Sequence, residues 1–239
     1  MPRHDGRAPD DLRPVRITRG FTKATPGSVL YESGQTKVLV TASIEDRVPP
    51  WMQGRGSGWL TAEYGMLPGS TPDRKARPGV GRIDGRTQEI QRLVGRSLRS
   101  VLDATAIGER TVWVDCDVLQ ADGGTRTASI NGAYIAVVDA IKKHKFGKPL
   151  ARWPLREPVA AVSVGIVGTN AVLDLDYEED HDAAVDMNVV LTASGKFIEI
   201  QGTGEGRPFE GDELAALLVL AGKGAEKVLA RAKEALATP

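Results

Sequence analysis

Residues 121–134, ADGGTRTASINGAY, place two glycines, a threonine and an arginine on the turn into a predicted helix. Backbone N–H groups at a helix N-terminus lack intrahelical partners and sit at the positive end of the helix dipole. An approach kept open by Gly123 and Gly124, with Arg126 beside it, is therefore the chemistry of a phosphate cradle. A plain tight turn is the alternative, since paired glycines also serve that purpose. A second stretch, 174–186, holds seven acids and no Lys or Arg. Within it, EEDHDAAVD sets Asp180 and Asp186 six residues apart across a turn, while Asp174 and Asp176 alternate with leucine as on a strand. Hard carboxylate oxygens suit Mg²⁺ or Mn²⁺, whose sites usually combine one or two carboxylates with substrate oxygens. A carboxylate can equally act as general acid, and an acidic loop with neither role is solvated surface.

The third feature is charge placement. The 31 basic and 31 acidic side chains cancel, yet 74–99 carries eight Lys or Arg (Arg74, Lys75, Arg77, Arg82, Arg86, Arg92, Arg96, Arg99) against Asp84 and Glu89. A basic region and an acidic knot in one chain describe either two solvated faces or a polyanion-binding surface beside a metal or acid–base site. Other schemes are excluded. The chain has no GxSxG elbow, no phosphate loop ending in Gly-Lys-Ser/Thr and no HExxH, and His4, His144 and His181 are scattered. GTGEGRPF at 202–209 mimics a dinucleotide loop, but its glycines run into Arg207, Pro208 and Phe209, so a turn before the last helix is expected. The single Cys116 excludes an internal disulfide and any cysteine cluster. It lies in the alternating TVWVDCDV and is expected as a small core residue of a strand.

These residues need elements to hold them. With 239 residues and 41% hydrophobic content the chain can bury a full core. Residues 1–20 read as an extended arm, and SVLYESGQTKVLVTASI as a hairpin turning at ESGQ. Residues 47–82 carry Gly and Pro at short intervals and read as a long irregular segment, functional or mobile. Ile90, Leu93, Val94, Leu98, Val101 and Leu102 form one face of a helix, with Arg92, Arg96 and Arg99 opposite. A strand over 111–119 leads to the glycine turn, and Ile130, Tyr134, Val137 and Ile141 mark the helix behind it. Strands follow near 159–167, 171–176, 184–192 and 196–201, then a helix over about 212–237. The pattern predicts an α/β (α+β) fold with mixed β-sheets flanked by helices. One domain over 1–239 is expected; the basic, proline-bearing 142–158 is either a boundary within it or a crossover. No apolar run approaches the roughly 18 residues needed to cross a membrane, and the N-terminus is too polar for a secretory signal, so a cytoplasmic location is expected.

Six separated motifs in this order, DGRxxDxLRPVxI, GWLTAEYGMLPGST, GRTQEIQRLVGRSLR, DVLQADGGTRTASINGA, DLDYEEDxxAxVDMNVV and EIQGTGEGRPF, resemble ribonuclease PH over essentially the whole chain. That family is related to polynucleotide phosphorylase and the exosome ring subunits. The resemblance implies a phosphorolytic 3′-to-5′ exoribonuclease that trims tRNA precursors, releases nucleoside diphosphates and runs backwards to add nucleotides, assembled as a homohexamer, a trimer of dimers. Carried over by motif, Arg86, Gly124, Thr125 and Arg126 would bind inorganic phosphate, and Asp180 and Asp186 would be the catalytic aspartates and the Mg²⁺ or Mn²⁺ position. Arg74, Arg77 and Arg99 would guide RNA. The phosphorylase pattern has a lysine two residues past its second aspartate, where this chain has Asn188. Two competing readings are a ring subunit that binds RNA without catalysis, which would be expected to lose the arginines or aspartates present here, and a hydrolytic nuclease, which needs a carboxylate cluster that activates water.

Overall fold

The computed structural model describes residues 3–77 and 84–238. The chain forms β1 (Val15–Arg19), β2 (Gly27–Ser33), β3 (Thr36–Glu45), a 3-10 turn (Pro50–Met52) and β4 (Trp59–Met66). Next come α1 (Gly85–Val101), α2 (Ala104–Ile107), β5 (Thr111–Gln120) and α3 (Thr125–Lys143). After an irregular connection follow β6 (Val159–Val167), β7 (Asn170–Leu173), α4 (Tyr177–Asp182), β8 (Val185–Thr192), β9 (Phe197–Gly204) and α5 (Gly211–Ala237). The first sheet has the order β1-β2-β3-β5-β4 and the second β7-β6-β8-β9. Among the described residues only β4 with β5 is parallel, because α1 and α2 lie between them in the chain. The mixed α/β architecture expected from the pattern is therefore present.

The β2–β3 hairpin pairs Ser33 with Thr36 across Gly34, which adopts φ 56°. That left-handed conformation is what the glycine of ESGQ supplies. α1 buries the expected stripe, Ile90, Leu93, Val94, Leu98 and Val101. α3 differs from its one-sided pattern: every residue from 127 to 141 is buried, as is Thr125. The helix packs against β2 and β3 on one side and β6 on the other, so it is enclosed by both sheets. One apolar core runs from the first sheet through α1 and α3 into Val159, Ala161 and Val190 of the second sheet. A second core fills the space between that sheet and α5, around Val164, Met187, Leu217 and Ala221. Each fully buried Leu or Ile in these cores contributes about 1.5–3 kcal/mol of transfer free energy.

Three expectations are corrected. The irregular segment 47–82 contains β4, whose Leu60, Ala62 and Tyr64 point inward at period two while flanking Gly and Pro mask the pattern. The strand expected over 171–176 ends at Leu173. Asp174 then adopts φ 55° and Asp176 caps α4, so the two acids do not share a strand face. β9 runs on through Gly202 to Gly204, so the glycine-rich turn begins later than the sequence suggests. The connection 142–158 holds the end of α3 and then an irregular path pinned by a bridge between Leu102 and Leu155. No helix among the described residues is long and apolar enough to cross a membrane.

Candidate active site

Gly123 and Gly124 both adopt the left-handed conformation, at φ 69° and 65°. A Cβ at Gly123 would lie 2.6–2.9 Å from the backbone of Leu175 and Asp176, so only glycine lets the turn lie against the chain entering α4. Thr36 fixes the turn from β3: its hydroxyl accepts from the Asp122 amide at 2.9 Å and donates to the Gly123 carbonyl at 2.6 Å. Gly124 is the N-cap of α3 and brings no side chain to it, whereas Asp84 and Asp176 cap α1 and α4. The first-turn amides of α3 are thus left for an outside acceptor. Thr125 opens the helix, and its hydroxyl meets the Tyr64 hydroxyl of β4 at 3.0 Å.

Arg126 extends from this turn. Its Nη2 donates to Glu89 Oε2 at 3.0 Å, while its Nε is buried without a partner among the described residues. Arg86 stands exposed in the first turn of α1. The charges of both arginines act on Asp180 and Asp186, which places the four side chains around one site. Asp186 is the second residue of β8, registered between Gly165 and Thr203. Burial, then the neighbouring Asp180 and Glu205 charges, pushes its carboxyl up to about 6 against the pull of Arg126 and Arg86. Its Oδ1 is buried without a hydrogen-bond partner among the described residues. Asp180, on α4, is also raised by burial, with Arg126 and Arg86 opposing. A half-buried carboxylate with an orphaned oxygen and an exposed carboxylate whose charge acts on it fit a hard divalent cation. Asn188, in place of the lysine, is buried one pleat along β8.

α4 is held in place because Asp174, Asp176 and Glu179 of the acidic knot are neutralised. Arg3 makes a two-pronged pair with Glu179 at 2.6 Å on both oxygens, and Arg7 reaches Glu179 at 3.2 Å and Asp176 at 3.4 Å. Arg13 donates through Nε and Nη2 to Asp174 at 3.1 and 2.6 Å, and through Nη1 to the Asp122 carbonyl. The N-terminal arm is therefore a clamp of three arginines over an acidic segment. Asp176 and Glu179 also form the capping box of α4. His4, Asp176 and Glu179 bring ligand-type atoms within 4.8 Å of one another, but Arg3 and Arg7 already occupy those carboxylates.

The arginines expected to guide RNA divide. Arg74 and Arg77 are exposed on an irregular segment next to β4. Arg82, part of the same basic stretch, lies outside the described residues. Arg99 also has partners within the fold: its guanidinium lies 4.6 Å from the Trp59 ring and donates to the Leu60 carbonyl at 2.9 Å. It joins α1 to β4, since its stem emerges where the helix meets the sheet. Sequence reasoning passed over Tyr64, Glu89, Gln201 and Glu205. All four lay in quoted motifs, but nothing local marks a residue whose partner is more than a hundred positions away, as Gln201 is from Glu89. Beside the site, a cleft of about 300 Å³ between α1 and β9 is lined by Gly85, Gln88, Glu89, Arg92, Glu199 and Gln201 among others.

Residues 11–143 match the model of the 3′ exoribonuclease family, domain 1, and residues 157–224 that of domain 2. The chain belongs to this family, that of the ribonuclease PH domains. Its fold is also similar to a chain of the Archaeoglobus fulgidus exosome with RNA bound to the active site (TM-score 0.82, 23% identity, covering 96% of this chain and 92% of that one). Rice (Oryza sativa) Rrp46 superposes with TM-score 0.80 at 19% identity, over 98% of this chain and 100% of that one. An archaeal exosome core chain gives 0.78 at 22% identity, over 97% and 91%.

Proposed function

We propose that this chain is a phosphorolytic 3′-to-5′ exoribonuclease that uses inorganic phosphate to shorten RNA and releases nucleoside diphosphates. The observation that carries the reading is the uncapped, glycine-opened N-terminus of α3, with the charges of Arg126 and Arg86 acting on the half-buried Asp186 and the exposed Asp180. Phosphate is received by the first-turn amides and the Thr125 hydroxyl, and the two guanidiniums supply fixed charge and forked donors. One phosphate oxygen then attacks the phosphorus of the last phosphodiester. The new P–O bond forms in line as the bond to the penultimate 3′ oxygen breaks, and that oxygen leaves as a hydroxyl, its proton balanced by the one that the attacking hydrogen phosphate gives up. Two anions must meet for this to happen, so charge neutralisation and alignment dominate the barrier. Asp180 and Asp186 would hold Mg²⁺ or Mn²⁺, which when bound supplies positive charge to the phosphoryl oxygens. We assign them this role rather than proton delivery because carboxylates facing phosphate oxygens need a cation between them.

The same proposal includes tRNA precursors as substrates, nucleotide addition in reverse, a cytoplasmic location, RNA contacts by Arg74 and Arg77, and assembly as a homohexamer. Phe197 and Ile200, large apolar side chains exposed on the edge strand β9, favour burial by further subunits. The test is RNA degradation with and without phosphate. Phosphate-dependent release of diphosphates is expected; equal degradation in phosphate-free buffer, or monophosphate products, refutes phosphorolysis. RNA binding without turnover favours the non-catalytic ring subunit.

A further inference from the structure

The residues of the site come from different elements. Arg86 and Arg126 stand at the N-terminal ends of α1 and α3, helices that pack chiefly on the first sheet, whereas Asp186 belongs to β8 of the second. A chain of hydrogen bonds links α3 and α1 to β9 beside β8. Gln201 Nε2 donates to Glu89 Oε1 at 3.2 Å, and Glu89 Oε2 accepts from Arg126 Nη2 at 3.0 Å. Gln201 is registered opposite Asn188, two residues along β8 from Asp186. The Arg96–Glu199 pair, at 2.8 Å, is a second tie between α1 and β9.

We infer that Glu89 and Gln201 are positioning residues for the phosphorolytic reaction, a clasp that fixes Arg126 and sets its separation from Asp186. The inference rests on the function proposed above. Glu89 takes one of the five donors of Arg126, so the guanidinium is anchored while its remaining donors stay available to an anion. The carboxylate is itself held, because its other oxygen is bonded to Gln201. A carboxylate beside a phosphate site repels phosphate, and its presence costs affinity unless orientation outweighs the repulsion. The two roles therefore predict opposite signs on removal.

The experiment measures kcat and the KM for phosphate with RNA saturating, in wild type, Glu89→Ala, Glu89→Gln, Gln201→Ala and Glu89→Ala/Gln201→Ala, with melting temperatures alongside. Glu89→Ala is expected to lower kcat about tenfold or more and to raise KM for phosphate. Glu89→Gln keeps an acceptor for Arg126 and offers its amide to the Gln201 oxygen, so most of the rate returns. Gln201→Ala, which touches no phosphate ligand, lowers kcat several-fold, and the double variant is no worse than Glu89→Ala because the residues act as a unit. Tighter phosphate binding with unchanged kcat in Glu89→Ala, or wild-type kinetics in both alanine variants, overturns the clasp. Wild type lacking phosphate-dependent turnover instead overturns the proposed function, and the clasp with it.

Discussion

Replacing Arg13 by Ala removes the partner of a carboxylate that has no access to water. Arg13 and Asp174 are 5% and 8% exposed, and their ion pair is 2.6 Å long. Arg13→Ala leaves the backbone amide of residue 13 on Asp174 Oδ2, at 2.7 Å, and the Arg7 guanidinium 3.9 Å away, but removes the nearer opposite charge and two further donors. Breaking one side of a buried pair costs about 3–5 kcal/mol, because the charge left behind is poorly compensated, here only by the more distant Arg7. With a urea slope of roughly 3 kcal/mol per molar, the unfolding midpoint should fall by about 1–1.7 M. Arg16→Ala is the contrast: its pair with Glu32 spans 3.8 Å and Arg16 is 80% exposed, so the change should stay within about 0.5 kcal/mol. The pH dependence has a definite sign. Burial alone would raise the Asp174 carboxyl, but the Arg13 charge and hydrogen bonds outweigh it and hold it below the ordinary value. Its stabilisation is complete above the unfolded carboxylate range and is lost as pH falls through the lowered folded value. The midpoint gap between wild type and Arg13→Ala should therefore shrink below about pH 4. Urea titrations monitored by circular dichroism from pH 7 to pH 3 provide the measurement. A gap smaller than about 1 kcal/mol at pH 7, or one that widens in acid, refutes the reasoning.

Two further outcomes are expected. Gly123→Ala forces a Cβ against backbone atoms at a left-handed position, so it should lower stability by about 1–3 kcal/mol and weaken phosphate binding by calorimetry, whereas Gly147→Ala, with open space around it, should do neither. Asp180→Asn and Asp186→Asn should each cut Mn²⁺ affinity, read by electron paramagnetic resonance, by at least the ~10–100-fold seen for weaker perturbations of metal sites, and excess metal should partly restore the rate; intact Mn²⁺ binding with lost activity would instead assign a proton-donor role.

The sequence by itself determined what depends on neighbours a few positions apart. The stripe of α1 is set by the helical period, the β2–β3 turn by Gly34, and the entry to α3 by Gly123 and Gly124, each a property of local backbone geometry. The candidate site residues Arg86, Thr125, Arg126, Asp180 and Asp186 were proposed from compact motifs, though their convergence was not legible there. Tertiary structure decided the rest. β4 is a strand because Leu60, Ala62 and Tyr64 find β5, and the pattern alone was too interrupted to announce it. The acidic knot is buried structure at Asp174, Asp176 and Glu179 because Arg3, Arg7 and Arg13, more than 160 positions earlier, neutralise it. Asp180 and Asp186 remain beyond that arm's hydrogen bonds and lie under the charges of Arg126 and Arg86, so charges indistinguishable in composition divide into those of the clamp and those of the candidate site. Glu89, an isolated acid in a basic stretch, gained its place only when the second sheet brought Gln201 against it. Charge and periodicity fix what a residue is able to do locally, whereas long-range packing selects which partner it meets and whether water remains between them.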